Sequence, residues 1–326
     1  MIYCNKSNPF YSHDHCNKSD GFLLMEFHYS PGLKVTLFAI LLNTYTITVI
    51  GNVVIIIIVS ANKQLHTPMY FFLVNLSFLD ILLTCTITPK FLSLLASGNG
   101  GISYVGCMIQ CYTYFFLGST DILILAIMSF DRFMAICNPL RYMAVLSPRL
   151  CLNLALGSWV CAFVDTTLLV VHLNFCGSNR INHFFCDVDE LVKLACTDTQ
   201  YLNLLTFILS ALIVFGSLIL IIISYINIII AILKIPSSSG RYKSFTTCSS
   251  HLVVVGIFYI GTVFMSLRSI KSSHVDFNKL AVILSTIITP LCNPFIYSLR
   301  NDQVKCYVKK MWRDVGKYME NRSGRW

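Results

Sequence analysis

Four sets of residues in this 326-residue chain have types and spacing that could do chemistry. The first is an adjacent acid and base, Asp131 and Arg132, in the string MSFDRFMAICNPLRY over 128–142. There a long apolar run stops and a polar, basic connector with Asn138, Pro139, Arg141 and Arg149 begins. An ion pair at such a helix end is tolerable, and a change of conformation can break it. The second set is Asn52, Asp80, Asp121 and Asn293, all inside apolar stretches. A charge at mid-bilayer costs about 2.5–3.5 kcal/mol on insertion scales, so these four should face one another. Asp80 and Asp121 each lie midway along a stretch; a shared proton, a water-filled network or a bound cation would relieve their repulsion. Sodium is the first cation to test there, because carboxylates with amide or hydroxyl partners suit hard ions. The third set, Ser249, Ser250 and His251, has the residue types of a hydrolase, but no third residue orients the histidine, and no enzymatic activity is expected. The fourth is the cysteines: there are fourteen, without repeated CxxC pairs, so a zinc or iron-sulfur framework lacks support.

The elements that position these groups follow from composition. With 56% hydrophobic and 12% charged residues and a mean hydropathy of +0.69, the chain is too apolar for a soluble domain and reads as a polytopic membrane protein. Seven apolar stretches, at 35–60, 69–95, 107–136, 152–171, 201–233, 245–267 and 280–299, are each long enough as a helix to cross a hydrocarbon core about 30 Å thick. The expected fold is therefore an all-α, seven-transmembrane helix bundle. Residues 1–34 form a polar N-terminal tail with two glycosylation sequons, at Asn5 and Asn17, and without the apolar core of a cleavable signal peptide. Residues 35–299 form the membrane domain and 300–326 a cytoplasmic tail.

Orientation rests on charge bias. Lys63, Arg141, Arg149, Lys234, Arg241, Lys243 and the basic tail fall on one side, which is expected to be cytoplasmic, leaving the N-terminus outside. The net charge of +9 is spread over connectors and tail and forms no single patch, so nucleic acid is not an expected partner. In the tail, Val304, Tyr307, Val308, Met311, Trp312 and Val315 recur at three- and four-residue spacing between lysines and arginines, which predicts a short amphipathic helix lying on membrane lipid. Cys306 lies where it could be palmitoylated. Pro290 and Pro294 interrupt the seventh stretch beside Asn293, predicting a kink next to the polar set, with Tyr297 one turn further on.

Longer strings narrow the reading. Seven stretches, Asp131-Arg132-Phe133 closing the third, and Asn293-Pro294-Phe295-Ile296-Tyr297 closing the seventh together resemble the rhodopsin-like G-protein-coupled receptors. LHTPMYFFLVNLSFLD at 65–80, the AICNPLRY continuation after Arg132, Ser224-Tyr225, KSFTTCSSHL at 243–252 and PLCNPFIYSLRN at 290–301 resemble the odorant receptors of the large tetrapod type. Three departures stand out: Phe133 replaces the usual tyrosine, Ile260 interrupts the usual Phe-Tyr-Gly run at Phe258 and Tyr259, and Cys292 replaces a bulkier residue.

The resemblance implies a receptor for a small volatile odorant, coupled to a stimulatory olfactory-type heterotrimeric G protein at the plasma membrane. It implies disulfides Cys107–Cys186 and Cys176–Cys196, where spacing alone permits three pairings. Once Cys186 is disulfide-bonded, the HFFCD string at 183–187 offers no thiolate, so no metal is expected there. By position, the ligand wall comprises Tyr114, Phe115, Gly118 and Ser119 of the third span, Leu209, Ser210 and Ile213 of the fifth, and Tyr259, Thr262 and Val263 of the sixth. Tyr114 stands where amine receptors carry an aspartate, which favours an uncharged ligand, and Ile287 stands where light receptors carry their retinal-bearing lysine. The switch and G-protein rim comprise Asp131, Arg132, Tyr225, Lys243, His251, Asn293, Pro294 and Tyr297. Competing classes are a family member acting outside the olfactory epithelium, and a transporter or channel suggested by Asp80 and Asp121, which leaves the long connector strings unexplained.

Overall fold

The computed structural model describes residues 21–25, 30–170, 179–195, 200–268, 282–300, 304–307 and 313; within its helices, the side chains at 200–203, 206, 243, 247, 250, 263–268, 284, 285 and 297–300 lie outside the description. In chain order the elements are β1 (Gly21–Leu24), α1 (Pro31–Ala61), α2 (Pro68–Ser97), β2 (Gly101–Ser103), α3 (Tyr104–Cys137), α4 (Pro139–Val145), α5 (Pro148–Val170), β3 (Arg180–Ile181), α6 (Val188–Leu194), α7 (Gln200–Leu233), α8 (Ser238–Arg268) and α9 (Thr289–Arg300). A π-helical turn at Leu284–Ile288 leads into α9. Among the described residues, six helices are long and apolar enough to cross a membrane: α1, α2, α3, α5, α7 and α8. The seventh apolar stretch is seen over 282–300.

Local chemistry sets the helix ends. Proline opens α1, α2, α4 and α5, where its missing N–H would have had no helical partner anyway. The Ser103 hydroxyl accepts the Gly106 N–H at 3.1 Å and starts α3 three residues before the expected Cys107. At the far end of α2, Gly98 adopts φ 67°, and its N–H closes the helix on the Leu94 carbonyl at 2.9 Å.

The bundle is wound around α3, which packs against α2, α5, α7 and α8, while α9 closes the ring between α1 and α8. A small sheet that hydropathy gave no reason to expect caps one end, in the order β2-β1-β3. β1 runs antiparallel to β2, with Phe22 opposite Ile102, and parallel to β3, with Leu24 opposite Ile181. Phe22 and Leu24 are buried there with Cys107, Ile181, Cys186 and Leu191. This end is the lid; the end carrying Asp131 and Arg132 is the latch.

Candidate functional site

Beneath the lid, the Cys107–Cys186 disulfide ties the connector after α5 to the start of α3, with a Cα separation of 5.4 Å. Gln110 holds the same connector by accepting the Cys186 N–H at 3.0 Å, while its amide donates to the Thr86 carbonyl of α2 at 3.0 Å. The tether drives Phe184 and Phe185 into the bundle: Phe184 stacks on Phe91 at 4.4 Å and Phe185 meets Tyr114 edge-on at 4.9 Å. Tyr114 and Phe115 are likewise edge-on, at 5.0 Å. Together these rings roof the residues expected to line the ligand wall.

One turn below Tyr114, Gly118 is half-buried, and a Cβ added to it would meet nothing within 4 Å. A half-buried helix position with room for a larger side chain also has room for part of a small guest. On the facing helices, Leu209, Ser210 and Ile213 are half-buried, as is Thr262, whose hydroxyl is spent on the Phe258 carbonyl at 3.0 Å. Below them the buried Tyr259 of α8 donates to the Ser217 hydroxyl of α7 at 2.6 Å. The Val263 side chain is outside the description.

Midway down the bundle, the polar residues singled out by sequence converge. Asn293 donates to the Asp80 carboxylate at 2.8 Å, both fully buried, and the Asp121 carboxylate is near enough to repel that of Asp80. Asn52 donates to the Pro290 carbonyl at 3.2 Å. Pro290 lies four residues before Pro294, so its carbonyl is the one that loses its helical N–H at the kink, and Asn52 replaces that bond from α1. The two helices approach closely enough because residue 51 is glycine: a Cβ there would sit 3.0 Å from the Pro294 ring. Oxygens of Asn52, Asp80, Asp121 and Asn293 remain buried without a hydrogen-bond partner.

At the latch, Asp131 and Arg132 are both buried, and their closest approach is a long 4.0 Å. The short contact on Asp131 comes from Tyr142 of α4, which donates to it at 2.8 Å. Burial and the adjacent Asp131 carboxylate raise the Tyr142 phenol above its ordinary value, so it stays a donor at physiological pH. Facing Arg132 across the bundle, Tyr225 of α7 hydrogen-bonds His251 Nδ1 of α8 at 2.7 Å, and the guanidinium charge acts on both. The histidine is thus engaged by a phenol. The side chains of Lys243 and Tyr297 are outside the description.

A family model described as olfactory receptor matches residues 41–315. The chain belongs to the olfactory receptor family. Olfactory receptor 6J1 of Homo sapiens is 45% identical over 304 residues, 92% of this chain and 88% of that relative. Olfactory receptor 287 of Rattus norvegicus is 47% identical over 287 residues, 87% of this chain and 92% of the relative. Squid rhodopsin superposes with a TM-score of 0.69 over 87% of this chain and 82% of its own, at 17% identity, which establishes a shared seven-helix fold. The receptor is accordingly a multi-pass plasma-membrane protein of a non-enzymatic family, with a small-molecule ligand and a G protein as partners.

Several sequence expectations fall outside the described residues: the sequons at Asn5 and Asn17, the second disulfide of Cys176 and Cys196, and most of the tail helix. Of that tail, Val304 is buried, and the Tyr307 hydroxyl donates to Gln64 at 3.0 Å, pinning the segment beneath α1 and α2. Three residues of the receptor's site were not anticipated: Gln110, Tyr142 and Ser217. The Tyr142 contact yields a direct test. Tyr142→Phe removes a hydrogen bond to a buried carboxylate, worth about 1.5–3 kcal/mol, and is expected to lower the thermal unfolding midpoint of the detergent-purified receptor by a few degrees. An unchanged midpoint would mean that α4 is not tied to α3 through this pair.

Proposed function

We propose that the receptor binds a small, uncharged volatile odorant between α3, α7 and α8 and, by favouring an outward tilt of α8, activates a stimulatory olfactory-type G protein and raises cAMP. One observation carries this reading: α7 and α8 are joined at two depths by hydrogen bonds between single side chains, Tyr259–Ser217 beside the expected ligand wall and Tyr225–His251 beside Arg132. A guest that disturbs the upper bond acts on the same pair of helices that the lower bond holds shut. It need only bind the tilted arrangement more tightly than the closed one. The opened cleft would admit the C-terminal helix of the G protein α subunit, with Arg132, Tyr225 and the 241–243 segment at its rim. Basic residues concentrated at the latch end support placing that end in the cytoplasm and the lid outside.

The buried, unpartnered oxygens of Asp80, Asp121 and Asn293 suit a hard monovalent cation, and these residues would hold sodium, whose charge would offset the facing carboxylates.

Purified receptor in nanodiscs, mixed with stimulatory olfactory-type heterotrimer and a broad odorant panel, is expected to speed nucleotide exchange with at least one odorant. Failure of every odorant to do so on any heterotrimer would end the proposal. A companion variant tests the location. Gly118→Leu fills the open space below Tyr114 and is expected to cut odorant potency about tenfold or more at unchanged surface expression. Wild-type potency in this variant would place the guest elsewhere.

A further inference from the structure

Asp165, in α5, is the one carboxylate in the described membrane helices that neither the latch nor the polar set below it uses. It is 6% exposed and so does not face lipid. The Ser210 hydroxyl of α7 reaches both of its oxygens, at 3.3 and 3.4 Å, and the Ser119 hydroxyl of α3 is a second partner. No lysine, arginine or histidine among the described residues pairs with it.

A purely structural role fits this geometry poorly. A carboxylate offers about four acceptor sites, and two serine hydroxyls, with the Ser210 proton shared between both oxygens at distances beyond the 2.5–3.0 Å usual for O–H···O bonds, leave part of that capacity unfilled. Ser119 and Ser210 are both on the expected ligand wall, and Gly118, with open space where its side chain would be, directly precedes Ser119. The residue beside which space is open and the residue that reaches the carboxylate are thus consecutive in α3.

We propose that Asp165, set between Ser119 and Ser210, is the polar end of the odorant site and selects guests carrying a hydrogen-bond donor, an O–H or N–H group, over carbonyl-bearing guests of the same skeleton. This rests on the odorant-receptor reading and widens its uncharged guest to admit a protonated amine, which Asp165 would pair. The Tyr114 position, which lacks the aspartate of amine receptors, is not the only place on the wall where a donor can be met.

The test uses full-length receptor in cells with olfactory-type G protein, cAMP readout and surface staining. Probes are matched trios on shared six- to ten-carbon skeletons, typified by 1-octanol, octylamine and 2-octanone, against wild type, Asp165→Asn and Asp165→Ala. In wild type, alcohol or amine members are expected to outperform their ketones. Asp165→Ala should weaken responses to the donor members about tenfold or more while sparing any ketone response. Asp165→Asn separates the two sources of the donor: an alcohol response survives within a few-fold because the amide oxygen still accepts, whereas an ammonium response is lost with the charge. Ketones equal to alcohols and amines in wild type, donor responses unchanged in Asp165→Ala, or a uniform loss across the panel with falling surface expression would each overturn the inference and leave the receptor reading intact. Silence of the whole panel in wild type at normal surface expression would overturn both.

Discussion

Replacing Arg132 with alanine is expected to abolish odorant-evoked cAMP while leaving the receptor at the cell surface. Two features of the latch separate signalling from folding. Removing one member of a buried ion pair ordinarily destabilises by about 3–5 kcal/mol, because the other charge is left unpartnered. Here Asp131 keeps its short bond from Tyr142 at 2.8 Å, whereas its contact with Arg132 is only 4.0 Å, so alanine at 132 removes the weaker of the two partners. What disappears is the cation facing Tyr225, Cys248 and His251 at the mouth of the proposed cleft. Arg132→Lys is the informative companion: it restores a charge but not the planar fork, and a response only partly recovered would show that the fork is used. Both variants are read by cAMP against surface density measured on the same cells. Undiminished signalling by Arg132→Ala would remove the arginine from the mechanism.

The latch also shows what a sequence can and cannot disclose here. Asp131 and Arg132 were legible because an acid and a base end an apolar run, and the helices themselves because lipid leaves the backbone few alternatives. Asp80, Asp121, Asn52 and Asn293 could be grouped in advance because buried polar groups in a membrane must find one another. That Asn52 would satisfy the carbonyl freed by Pro294 is a refinement of register, since it needs α1 and α9 in contact at Gly51. Asp165 was as visible as Asp80, an isolated acid in the stretch 152–171; what hid its importance was that Ser119 and Ser210 meet it only once three helices are assembled. The lid sheet left no trace in hydropathy, because Gly21–Leu24, Gly101–Ser103 and Arg180–Ile181 are too short to show a period and lie far apart in the sequence. Tyr142 carries no legible role in the 128–142 string, because nothing in its local sequence says that α4 turns its phenol back onto Asp131.

The second large effect concerns the two buried carboxylates, and the structure makes them unequal. Asp80 accepts the Asn293 amide at 2.8 Å, so Asp80→Ala orphans a buried donor and loosens the join between α2 and the kinked α9. The orphaned group alone costs about 1–3 kcal/mol, and with the kink no longer held, both surface expression and odorant response are expected to fall severely. Asp121 has an unpartnered oxygen and a repulsive neighbour in Asp80, so Asp121→Asn removes repulsion without taking an acceptor from Asn293. Its expression is expected to match or exceed wild type. If sodium is held between the two carboxylates as proposed, wild type should unfold at a higher temperature in sodium chloride than in N-methylglucamine chloride of equal ionic strength, and Asp121→Asn should lose that difference. Equal midpoints in both salts for wild type would exclude a sodium site, and equal damage from the two substitutions would show that the asymmetry at Asn293 does not govern stability. Because Asn293 adjoins Pro294, which frees the Pro290 carbonyl held by Asn52, a response lost in Asp80→Ala but retained in Asp121→Asn would assign the hinge to the amide bond and confine any cation to modulating it.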